Sequence, residues 1–164
     1  GEQVAGSRVV SVAATSTVVA FAARLNQGVG VRAGGGTVSG AAGGLVAWSD
    51  GATTRTRLFD TPDGMDPGAV RLEAARWSVV GYVIGQAATG PLATGDGDSV
   101  GYSGLLDGTG PVSAWQLGGT GPDLAVVEVA RPGGTAVFGG VQSAIGGRSW
   151  GESDAYVWLR SAGD

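Results

Sequence analysis

The stretch "PDLAVVEVARPGGTAVFGGVQSAIG", residues 122–146, decides the fold. Apolar residues recur at short intervals up to "RPGG" and resume at once in "TAVFGG", which is the pattern of two antiparallel strands joined by a tight turn. Pro sets φ for a turn and Gly tolerates positive φ, so the reversal belongs at "PGG". The same arrangement occurs earlier as "PGAVRLEAARWSVVGYVIGQAATG", residues 67–90. Written under one another, the two stretches match Glu73 with Glu128, Ala75 with Ala130 and Arg76 with Arg131, each 55 apart. Beyond the turn the offset becomes 56, and Tyr82 meets Phe138, Gln86 meets Gln142, Asp98 meets Asp154 and Tyr102 meets Trp158.

A third copy precedes both. "SRVVSVAATSTVVAFAARLNQG" places Val9 and Phe21 61 residues before Val70 and Tyr82, and "GLVAWSDG" places Trp48 54 before Tyr102. Self-similarity at a period near 55 indicates an array of one supersecondary unit. Each unit reads as a four-stranded antiparallel meander, the third run being "DSVGYSGLL" or "DAYVWLR" and the fourth "VSAWQLGG" or "TTRTRLF". The chain is therefore expected to be all-β, one repeat domain over 1–164 with units at about 1–64, 65–120 and 121–164, the last without its fourth strand. The repeat positions Trp48, Tyr102 and Trp158 are expected where neighbouring sheets pack face to face. Asp98 and Asp154 are expected as structural turn residues.

Composition narrows the chemistry. The 164 residues include 33 Gly, ten basic residues that are all Arg, no Cys and no His, with a net charge of -4. Without Cys, His or Lys there is no disulfide, thiolate metal site, Ser-His-Asp mechanism, Schiff base or phosphate-loop lysine. The arginines stand singly along the chain, which argues against nucleic acid as a partner. No apolar run is long enough for a membrane-spanning helix, and "GEQVAGSRVV" has no signal-peptide pattern.

From about Pro67 onward the chain resembles the bacterial beta-propeller repeat of the SBBP type. Asp154, Ala155, Tyr156 and Val157 match its Asp-Ala-aromatic-Val strand, Trp115, Leu117, Gly118 and Gly119 its Trp-to-Leu-Gly-Gly strand, and Gly133, Gly134, Val137 and Gly140 its Gly-turn strand pair. The first unit departs from the pattern: Gly44 stands where the Asp belongs, and "RLFDTPDG" replaces the Leu-Gly-Gly turn. The resemblance implies propeller blades, as a partial ring or as half of a six-bladed ring closed by a second copy, in a secreted or cell-envelope protein. It implies no catalytic residue and no cofactor. Three four-stranded units also suit a β-trefoil, the alternative architecture.

The expected function is a non-catalytic binding or assembly module, with itself, further blades or a partner protein bound. The alternative is a lectin-like module in which Trp77 and Trp150, read as turn residues, stack on carbohydrate. For metal, "FDTPDGMD" offers Asp60, Asp63 and Asp66, and "GDGDS" offers Asp96 and Asp98, against the plainer reading that Asp residues cap turns. A glycosidase would have to draw on Asp, Glu2, Glu73, Glu128 and Glu152; Glu73 and Glu128, as repeat partners, read as structural. "RAGGGTVSGAAGG", residues 32–44, reads as a long loop.

Overall fold

A computed structural model describes residues 8–25, 30–33, 36–39, 43–60, 65–85, 95–118, 121–142 and 153–161. Among them there is no helix, and the strands form three antiparallel sheets of four, four and three strands and one hairpin. The first sheet runs β1 (Arg8–Ala14), β2 (Val19–Leu25), β5 (Gly43–Ser49), β6 (Thr54–Asp60). The second runs β7 (Met65–Glu73), β8 (Arg76–Gly85), β9 (Gly95–Leu105), β10 (Ser113–Leu117). The third holds β11 (Asp123–Arg131), β12 (Gly134–Val141) and β13 (Asp154–Ser161). The second and third are meanders of sequence neighbours, the first pairs β2 with β5, and none closes on itself. The hairpin is β3 (Gly30–Ala33) with β4 (Gly36–Ser39), paired Val31 to Val38, in the region read from sequence as a loop. Val and Thr between the glycines favour extended backbone, which outweighed the loop signal of the glycines.

The second sheet lies between the other two and buries both faces. Strand alternation sends Val70, Trp77, Val79, Val83, Val100 and Tyr102 to one side, where they meet Ala20, Ala22, Val46, Trp48 and Phe59 of the first sheet. The other side carries Ala69, Val80 and Trp115 against Ala125, Val137, Tyr156 and Trp158 of the third. Aromatic rings fill both seams: Trp48 lies 5.4 Å from Trp77 and Phe59 4.3 Å from Tyr102 in the first, and Trp115 meets Trp158 edge-on at 5.1 Å in the second. All three repeat aromatics thus sit between sheets, but Trp48 and Tyr102 share one seam while Trp158 occupies the other.

Hydrogen-bonded register corrects the pairing of the copies. Glu73 closes its hairpin with Arg76, and Arg131 closes the next with Gly134, so the structural offset of these two strands is 58. Both hairpins carry a bulge at that same spacing, between Pro67 and Ala69 and between Ala125 and Val127. The counterpart of Glu73 is Arg131, and the counterpart of Val80 is Phe138. Matching like letters slipped the alignment by up to three residues, because turn and bulge set a ladder's register and identity of side chain does not. In the third strand the offset of 56 holds, since Val79 faces Tyr102 as Val137 faces Trp158.

Candidate functional site

The described residues form a cleft of about 740 Å³ where the second and third sheets diverge beside the β7–β8 and β11–β12 turns. Four guanidinium groups line it, Arg71, Arg76, Arg131 and Arg160, with two carboxylates, Glu73 and Glu128. The remaining wall is largely hydroxyl-bearing: Ser103, Ser113, Thr135 and Ser161. In sequence Arg71 and Arg76 share one hairpin, but Arg131 and Arg160 are far from them and from each other. They converge because Arg76 opens β8, Arg131 closes β11 and Arg160 nears the end of β13, all at one end of the stack.

The floor is a fixed charge network. Glu128, with a side chain only 6% exposed, has Arg71 at 3.9 Å and Arg160 at 3.8 Å. A buried carboxylate requires such partners, because burial of an unpaired charge costs several kcal/mol. Arg71 also bonds Glu73 at 2.5 Å. The Arg160 guanidinium carbon lies 5.2 Å from the ring centres of both Trp115 and Trp158, a cation–π contact with each. Trp115 also lies against Gly101, where a Cβ would overlap the indole. Arg71 and Arg160 are therefore structural.

Arg76 and Arg131 are placed differently. Among the described residues, Arg76 reaches the Ser103 hydroxyl at 3.4 Å, and Arg131 reaches the carbonyls of Pro132, Thr135 and Arg160 at 3.3 to 3.4 Å. Among the described residues neither is in a salt bridge.

The residues singled out from sequence are distributed elsewhere. Trp77, read as a turn residue, is the second residue of β8 and 2% exposed, wedged between Trp48, Phe59 and Gly104. Alternation along β8 turned it into the core, so it offers no ring face to a sugar in solution. Asp98 lies within β9, not in a turn, and accepts a hydrogen bond from Gln116. Asp154 opens β13 opposite Val141. Asp66 binds Arg24 at 2.6 Å and Arg8 at 3.7 Å, tying the second sheet to the first. Glu73 and Glu128, expected to be equivalent, differ: one is exposed beside a turn and the other buried in the cleft. Asp60 and Asp96 have strand backbones. Trp150, Asp63, Gln86, Glu2 and Glu152 lie outside the described residues. The turn-capping role expected of Asp is filled by Asp50, which accepts from the Ala52 and Thr53 amides, and Asp107, which accepts from Thr109; these bonds hold both carboxyls below the usual range.

A second apolar surface bears on function. The outer side of the third sheet exposes Val127, Phe138 and Val157 in one cross-strand row, with Val129 and Leu159 in another. Val157 and Leu159 are 58% and 60% exposed. The chain matches no known protein-family model, no curated protein and no solved structure.

Proposed function

We propose that the chain is a non-catalytic assembly module, a set of propeller-like blades whose third sheet receives a further sheet of the same kind from a second copy. One observation carries this reading. In the second sheet the row immediately after the bulge, Ala69–Val80–Gly101, backs onto the third sheet, with Ala69 and Val80 packed in that seam. The row at the same place in the third sheet, Val127–Phe138–Val157, is exposed and more apolar. A surface built as a stacking face and left open on the described residues is suited to another such sheet. The resemblance of the repeats to bacterial propeller units agrees with ring closure by two copies.

Light scattering over a concentration series tests it. Wild-type protein should give twice the 16.1 kDa chain mass. Full burial of a Val or Leu contributes roughly 1.5–3 kcal/mol, and both side chains are about half-way there, leaving about 1 kcal/mol each. Replacing Val157 and Leu159 with Asp removes this and sets charges in the seam, so the dimer should weaken by at least about 100-fold. A wild-type monomer at all concentrations, or a dimer indifferent to the double substitution, refutes the reading.

A further inference from the structure

We propose that the arginine-lined cleft between the second and third sheets binds a small polyhydroxylated carboxylic acid of the uronic- or aldonic-acid class, held by Arg76 and Arg131. Glu128, Thr135 and Arg160 lie on the side of the third sheet opposite the assembly face, while Arg131, in register with that face, joins them at the end of β11. Four guanidinium groups against two carboxylates make the cleft locally cationic in a chain whose net charge is -4.

The two halves of the cluster have different work. Arg71 and Arg160 are occupied by Glu73 and Glu128, and Arg160 is further held against two indoles. Arg76 and Arg131 each bring five N–H donors in a planar fork, and their contacts at 3.3 to 3.4 Å are long for hydrogen bonds. Such a fork suits a carboxylate, and a charge-assisted bond is about twice as strong as a neutral one.

The rest of the wall sets the ligand class. Ser103, Ser113 and Thr135 present hydroxyls that donate and accept, matching a ligand that carries hydroxyls beside its carboxylate. Trp115 is already engaged, with Gly101 against its indole and Arg160 over its ring. Flat aromatic acids and neutral sugars are therefore disfavoured. A volume of about 740 Å³ falls in the range of small-molecule sites, roughly 300–1,000 Å³.

Calorimetric or NMR titration of the whole chain at low salt with D-glucuronate, D-glucose and inorganic phosphate tests the assignment. The expected result is saturable glucuronate binding, weaker phosphate binding and no saturable glucose binding. Arg76→Gln and Arg131→Gln should each weaken glucuronate at least tenfold with the melting temperature unchanged, since among the described residues neither is in an ion pair. Glucose binding as well as glucuronate would overturn the role of charge. Phosphate binding as tight as that of glucuronate would overturn the hydroxy-acid class. Indifference to both substitutions would overturn the site, and none of these outcomes alters the chain's association state.

Discussion

Gly101 should respond to alanine in opposite directions depending on Trp115. The glycine is mid-strand in β9 with Trp115 paired beside it in β10, and a Cβ there would fall inside the van der Waals radii of three indole atoms. The ring has little room to yield, because Trp158 is edge-on at 5.1 Å and Arg160 lies over it. Overpacking of this kind costs about 1–3 kcal/mol. For a domain of this size each kcal/mol lowers Tm by roughly 2–4 °C, so Gly101→Ala should lose about 2–12 °C. With Trp115→Ala the clash vanishes. What remains is the gain from a less flexible unfolded chain, about 0.4–1 kcal/mol in favour of alanine, because Gly101 does not need positive φ. Thermal and urea melts of the wild type, both single variants and the double variant measure the coupling. Additive effects, with alanine costing the same in both backgrounds, would refute the claim that the close Gly101–Trp115 approach fixes this seam.

Trp77→Ala should cost about 3–5 kcal/mol by urea melts, the range for deleting a large buried aromatic. Ala74, a non-glycine residue at φ 45° in the β7–β8 turn, carries left-handed strain of about 1–2 kcal/mol, so Ala74→Gly should raise stability slightly despite glycine's larger unfolded entropy. Burial raises the Tyr156 phenol above its usual value of about 10, while its hydrogen bond to Ser99 at 2.8 Å opposes the shift. The folded chain therefore keeps this proton where the unfolded chain has lost it. That contribution is complete below pH 10 and fades as pH rises through the folded value. Urea midpoints from pH 8 to 12 should show this alkaline decline reduced in Tyr156→Phe.

Much of the secondary structure was legible in the residues. Alternation in "AVVEVA" and "TAVFGG", broken at "RPGG", located β11 and β12, and the same pattern located β7 and β8. The identity of the outward and inward residues was less legible. Trp77 follows a turn signal and reads as exposed, yet one position along a strand sends a side chain to the opposite face. The cleft was almost invisible. Arg76 and Arg131 are matched letters in the repeat, but their structural positions differ by three residues, and nothing local marks Arg160 as their neighbour. Their shared location at hairpin ends and a strand terminus was the one usable signal.

By itself the sequence determined the local order of strands and turns, the repetition of a meander unit and the chemistry that a chain without Cys, His or Lys must forgo. Those properties depend on neighbours in the chain, on side-chain period and on which atoms exist. Only the tertiary structure decided which face of each meander is covered, which aromatics share a seam and which arginines stand together. Those depend on how sheets stack, where bulges and turns shift register, and on contacts between residues such as Arg71 and Arg160, 3.9 and 3.8 Å from one buried glutamate though far apart along the chain.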